Sequence, residues 1–187
     1  MNVQPNLRMG KPEFLAWVQG REGRYELAES RVVMMPGGSR GHGIIVRRLA
    51  NALEKRLDSH RWSVWTSDFG VDVGPDTIRY PDVVVDVAGG PFKDLTATAP
   101  ILVAEVVSPS SATYDLGDKA VEYLRLPSLS AYLVLAQDEP KAWIWARGAA
   151  GFSPEPNRVS GLDATVEITA LGIDLPLSEI YAGLATG

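Results

Sequence analysis

Ile101-Leu102-Val103-Ala104-Glu105-Val106-Val107, followed by Ser108-Pro109-Ser110-Ser111, is the stretch from which the fold is read. Seven residues rich in Val and Ile, and almost unbroken in apolarity, argue for a central strand covered on both faces. Glu105 is the exception. Burial works against a charged carboxylate by up to several pKa units, so this group must be protonated, paired with a cation or bound to a metal. Alternation sets Glu105 on the face opposite Ala104 and Val106, where it can point into a cleft at the strand's end. The competing reading is a glutamate on a half-solvated face, although Val103 and Val107, two residues away on either side, are apolar.

Downstream, Ser108 to Ser111 reads as a turn, and Thr113 or a neighbour caps a helix running to about Leu126, with Asp115 and Asp118 near its positive end. Pro127 stops it. Lys119 lies one turn in. It either makes an ordinary surface pair with Asp115 four residues earlier, or leans back over the sheet to bring an ammonium to Glu105. Tyr123 shares its face. Ala131–Ala136 and Lys141–Ala146 read as a strand pair, and the tail as edge strands or loops.

Upstream, Trp62–Val73 and Ile78–Val87 read as two further strands. Asp82 follows Pro81, which donates no ladder hydrogen bond, and precedes Val83-Val84-Val85, so it stands at a strand's mouth. The alternative is a turn-capping aspartate, and Asp86, on the same strand face, competes for the same role. Lys11–Gln19 reads as a short helix with Phe14, Leu15 and Val18 inward, and Tyr25–Leu27 with Arg31–Met35 as a hairpin. After Pro36-Gly37-Gly38, Ser39 caps a helix to about Ser59, with Ile45, Leu49, Leu53 and Leu57 on one face. Arg48 and Lys55, seven apart, form a basic ridge on another. Together these elements predict one α/β domain over residues 1–187, a mixed central sheet flanked by helices.

Composition narrows the chemistry. The 187 residues are 45% hydrophobic and 22% charged, contain no cysteine and only two histidines, His42 and His60. Disulfides, thiolate metal sites, cysteine nucleophiles and multi-histidine zinc sites are excluded, so a metal must be held by oxygens. There is no run of about 18 apolar residues of the kind a membrane span needs, and Met1–Gly10 lacks a secretory apolar region, so a cytoplasmic location is expected. The net charge is −5, but residues 1–61 carry eleven Lys and Arg against six Asp and Glu, and the remainder seven against seventeen. That asymmetry is either chance clustering with solvated helix faces or a basic wall facing an acidic metal site. Asp, Glu and Lys together suit metal-dependent phosphodiester hydrolysis.

The ordered set Arg79-Tyr80-Pro81-Asp82, Ala104-Glu105-Val106-Val107-Ser108-Pro109-Ser110-Ser111, Asp118-Lys119 and Tyr123 resembles the Uma-type endonucleases, a branch of the PD-(D/E)XK restriction-endonuclease-like superfamily. Tyr25-Glu26-Leu27, Ser39–His42 and Leu175–Tyr181 resemble that family's ends. The resemblance implies a restriction-endonuclease-like fold with Asp82 and Glu105 as carboxylates for Mg2+ or Mn2+, a backbone carbonyl near residue 106 beside them, and Glu26 as an additional acid. The superfamily's usual lysine, two residues after the second acid, is Val107 here. In this branch it comes from the following helix, which implies Lys119. The family's acidic-Gly turn is replaced by Ala28-Glu29-Ser30. His42 is implied near the site, with a local helix-end hydrogen bond as the alternative. Arg40, Arg48 and Lys55 are the candidate phosphate contacts. The implied activity is an endonuclease, with DNA expected ahead of RNA and a homodimer expected from the fold's habit of pairing sites. Val107 leaves a rival reading, a nuclease fold kept as an inactive binding module or accessory subunit.

Overall fold

The computed structural model describes residues 2–109 and 115–184. The chain opens with β1 (Asn2–Arg8) and α1 (Lys11–Val18), where Pro12 sits in the first turn and Phe14 is fully buried. β2 (Arg24–Ala28) and β3 (Arg31–Met35) form the expected hairpin. Its two turn residues, Glu29 and Ser30, sit at φ +50° and +62°, the left-handed pair that a tight two-residue hairpin demands. Hydrogen bonds from their N–H groups to Thr77 Oγ1 and the Asp76 carbonyl hold that strained turn without glycine.

α2 (Arg40–Glu54) starts at Ser39, whose hydroxyl accepts the His42 N–H, and buries Ile45, Leu49 and Leu53. It ends short of the expected Ser59. The Arg56 guanidinium bonds the Ala52 carbonyl, and Asp58 gathers the N–H groups of His60, Arg61 and Trp62 into a turn that starts the next strand. There follow β4 (Trp62–Thr66), β5 (Val71–Gly74), β6 (Thr77–Arg79), β7 (Val83–Val87) and β8 (Leu102–Val107). A π-helical turn, Asp115–Lys119, runs into α3 (Ala120–Tyr123). The expected cap Thr113 lies outside the described residues, and the helix stops at Tyr123 instead of Leu126. β9 (Ala131–Ala136), β10 (Lys141–Gly148), β11 (Gly151–Phe152), β12 (Asn157–Ser160), β13 (Thr165–Ile168), β14 (Ile173–Pro176) and α4 (Leu177–Tyr181) complete the chain.

The large sheet has the order β11-β10-β9-β8-β7-β4, with β12 also on β10. Its β8–β9 pair is parallel and is crossed over by the π turn and α3. α2 and α4 cover one face with Ile45, Leu49, Leu53, Leu177 and Ile180, while Ala120 and Tyr123 cover the other over Val103, Val107 and Val134. This is the mixed α/β sheet flanked by helices that the sequence predicts. Among the described residues no helix is long and apolar enough to cross a membrane.

Two expected strands turn out to be four. Trp62–Val73 leaves the large sheet for a smaller one, ordered β1-β3-β2-β6-β5, and Ile78–Val87 returns from it to the large sheet. One crossing runs through Ser67, held at φ +32°, and the other through Tyr80-Pro81-Asp82. Apolar residues stand on both sides of each break, so the hydrophobic pattern runs on where the hydrogen-bonded partner changes. The tail supplies the expected edge strands, β11 and β12 on β10, but it closes on a helix instead of a strand or loop. α4 buries Leu177, Ile180 and Tyr181, and the Tyr181 hydroxyl donates to the carbonyls of Ala136 and Lys141 at 2.6 and 3.3 Å. Tyr181→Phe is expected to lower stability by about 1 kcal/mol with an unchanged denaturant slope, as read by urea unfolding.

Candidate active site

The ladder between β7 and β8 pairs Val85 with Leu102, Val84 with Val103 and Val83 with Ala104, and then stops. One step further along that register sets Asp82 against Glu105. Pro81 cannot extend the ladder, and the Asp82 side chain takes over, its Oδ2 accepting the Val106 N–H at 2.8 Å. The strands fork there. Both acids are almost completely buried at the fork.

Glu105 is held from the far side of the sheet. Its Oε1 accepts from Lys119 Nζ at 3.0 Å and from the Tyr123 hydroxyl at 3.1 Å. Lys119 also lies 3.3 Å from Asp115 and 3.5 Å from Glu26. The π turn makes this possible by turning Asp115, Lys119 and Tyr123 inward together, a distortion that recurs at functional sites. Burial pushes the Glu105 carboxyl up to about 8, against the pull of Lys119 and with the nearby Asp82 charge adding to the rise. Burial alone would lower the Lys119 pKa, but Glu105, Glu26 and Asp115 outweigh it and hold the ammonium charged. Glu105 Oε2 has no hydrogen bond among the described residues.

Behind this pair lies a second acid. Glu26 is fully buried on β2 and accepts from Arg79 Nη1 at 3.0 Å and from the Tyr80 N–H at 3.1 Å. Arg79 grips Glu122 on α3 with two 2.7 Å bonds, so one guanidinium ties the small sheet to the helix that carries Lys119. Both Glu26 oxygens are therefore engaged within the protein.

On the open side, His42 Nε2 lies 3.0 Å from Asp82 Oδ2, and with the carboxylate ionised Nε2 is the donor. The ring rests against bare backbone. A Cβ at Gly38 would come within 2.6 Å of His42 Nδ1, so the turn that reads as simple punctuation also seats the histidine. A cavity of about 460 Å³ opens here, walled by His42, Arg24, Arg47 and Asn51.

The other expected residues fall elsewhere. Asp86, the competitor of Asp82, caps a loop by accepting the Thr98 and Ala99 N–H groups. Arg48 does not stand on an exposed ridge: its guanidinium donates to the Ile180 and Ala182 carbonyls and clamps α4. Lys55 is exposed at the far end of α2, about 20 Å along the axis from His42 at 1.5 Å per residue. Arg40 is exposed at the near end. Sequence reasoning missed Arg24, Arg47, Glu122 and Gly38. Arg24 carried one usable signal, its place two residues before Glu26 and hence on the same strand face.

A family model described as "Putative restriction endonuclease", Uma2, matches residues 12–178. The chain belongs to the Uma2 family. The uncharacterised protein slr1290 of Synechocystis sp. is 27% identical over 183 residues, covering 97% of this chain and 95% of its own length. A second protein of that organism, sll1609, is 26% identical over 129 residues, 67% of this chain and 73% of its own. The crystal structure of a "putative nuclease belonging to DUF820" from Anabaena variabilis matches with a TM-score of 0.75 at 14% identity, over 93% of this chain and 98% of that one. At that identity the likeness speaks for the fold. Uma2 membership supports a nuclease, with nucleic acid as its substrate class.

The resemblance noted in the sequence implies Mg2+ or Mn2+, and the acids at the fork are of the kind that suit such a cation. Among the described residues no three acids or histidines converge into a ready cage, but Mg2+ needs only one or two carboxylates with water and phosphate completing its shell. Of the Asp82 and Glu105 oxygens, Asp82 Oδ1 and Glu105 Oε2 make no hydrogen bond among the described residues. Glu26, Asp82, Glu105, Asp115 and Glu122 outnumber Arg24, Arg79 and Lys119, so a divalent cation would balance the cluster. Arg79→Met, which strands the buried Glu26 charge, is expected to cost about 3–5 kcal/mol in urea unfolding, with part of it recovered when Glu26→Gln is added.

Proposed function

We propose that this chain is a metal-dependent endonuclease that hydrolyses phosphodiester bonds, DNA ahead of RNA. The observation that carries the reading is Glu105: a buried carboxylate with one oxygen fixed by Lys119 and the other open beside Asp82. The family description, which names restriction endonucleases, supports DNA. Cutting both strands with one site per chain calls for two copies, so a homodimer on the substrate is part of the proposal.

Asp82 Oδ1, Glu105 Oε2 and the Val106 carbonyl would hold Mg2+ or Mn2+. When bound, such a cation lowers the pKa of a water and offsets the charge that builds on the phosphate. The protein's own groups prepare that chemistry. His42 and the Val106 N–H fix the Asp82 carboxylate from two directions. Lys119, kept charged by three carboxylates, is a hydrogen-bond donor and not a base; it orients the attacking water or a phosphoryl oxygen while holding Glu105. Tyr123 steadies the same oxygen from the helix. Glu26 acts through Lys119 and Arg79 as a positioning residue. The rival reading of an inactive module rested on Val107. That side chain is core, and an ammonium reaches Glu105 from the helix instead.

The test pairs calorimetric Mg2+ and Mn2+ titrations with cleavage assays on DNA and RNA, with and without a chelator. Asp82→Ala and Glu105→Ala should each abolish metal binding and cutting, and Lys119→Met should slow cutting by about a hundredfold or more. Saturable metal binding without turnover on any substrate would leave a binding module. Because Glu105 must lose its proton before it binds a cation, metal affinity should rise about tenfold per pH unit below about 8 and level off above it. A flat profile from pH 6 to 9 would remove Glu105 from the ligand set.

A further inference from the structure

Among the described residues, the guanidinium at the mouth of the site makes no hydrogen bond. Arg79 is spent on Glu26 and Glu122, Arg48 on the carbonyls of α4, Arg56 on Ala52 and Glu179, and Arg147 on the Leu126 and Leu129 carbonyls. Arg24 differs. Its Nε is buried and makes no hydrogen bond, and its nearest acid atom, Asp82 Oδ1, stands 3.9 Å from a terminal nitrogen, close enough for charge attraction but too far for a hydrogen bond. The side chain is 33% exposed, so the fork faces open space while its inner nitrogen is dry.

Its position gives that open fork a purpose. Two residues before Glu26, Arg24 shares the inward face of β2 but lies nearer the mouth. It walls the 460 Å³ cavity beside His42 and also a second one of about 240 Å³ beside Arg21 and Tyr80, with Ser67 as the other shared residue. The Ser67 N–H bonds the Asp82 carbonyl at 3.2 Å, so a residue shared by both cavities is tied to the backbone of the first acid. Arg24 and Ser67 thus stand between two adjoining cavities, one arm lined by Arg47 and the other by Arg21.

We propose that Arg24 is a substrate-binding residue whose guanidinium takes the non-bridging oxygens of the phosphodiester seated at Asp82 and Glu105, with the strand continuing along the two arms past Arg47 and Arg21. The proposal rests on the nuclease reading of this site and deepens it. A planar fork with free donors matches two phosphate oxygens at once, which a lysine cannot do. The half-open ion pair with Asp82 leaves the guanidinium free to exchange that weak contact for the phosphate.

The test measures fluorescence anisotropy of a labelled DNA duplex with wild type, Arg24→Met and Arg24→Lys, in Ca2+ across a salt series, with metal affinity measured in parallel and urea unfolding confirming that each variant folds. Arg24→Met should weaken DNA binding at least tenfold and reduce the slope of log affinity against log salt by about one, while metal affinity stays within a few fold. Arg24→Lys should restore the slope but only part of the affinity. Unchanged slope and affinity, or a loss confined to metal affinity, would overturn the proposal and make Arg24 a support for Asp82. Wild-type chain that does not bind the duplex would overturn it as well. DNA binding that depends on Arg24 in a chain that never cuts would uphold the contact while sinking the nuclease reading.

Discussion

A carboxylate in the middle of a strand covered on both faces has to be held, and at Glu105 the holding is done by an ammonium that arrives from another element. Much of the molecule follows from that pair. Lys119 reaches the strand from a helix that lies over the sheet, and it turns inward because that helix opens with a π turn at Asp115–Lys119. The ammonium itself would be untenable at 2% exposure without Asp115 and Glu26, and Glu26 in turn needs Arg79. Desolvation thus propagates as a chain of partners, each buried charge requiring the next, until it ends at Glu122 near the surface.

That chain crosses between the two sheets. Glu26 and Arg79 stand on the small sheet, Glu105 on the large one, and Lys119 with Glu122 on the helical crossover. The same seam is crossed covalently by Tyr80-Pro81-Asp82, so the first acid is placed where one sheet hands over to the other. A proline immediately before it keeps the backbone from resuming a ladder, and the aspartate is released to serve as an acceptor with its own side chain.

Legibility in the sequence tracked how local each signal was. Glu105 stood out because it interrupts an apolar run, Asp82 because it follows a proline at a strand's start, and Lys119 because helical spacing links it to Asp115 and Tyr123. That helices flank a mixed sheet was readable from periodicity, whereas the order of its strands was not. What escaped depends on distant partners. The breaks inside Trp62–Val73 and Ile78–Val87 are invisible because Val71 and Ile78 are as apolar as the residues they were joined to. Arg47 lines the groove and Arg48 clamps α4, although they are neighbours, since one residue turns a helix by about 100°. Gly38 seats His42 through a close approach that only the folded turn creates.

Val107, at the position where the superfamily's usual lysine stands, bears on how such chemistry is recognised. Moving the ammonium onto a helix frees the strand position to join Val103 and Val134 beneath Tyr123, so the sheet gains a fully apolar rung beside its acid. A search written as a fixed interval between acid and lysine passes over this arrangement. One written as a charge within 3.0 Å of a buried carboxyl finds it, because what the reaction needs is an address in space and not a place in the chain.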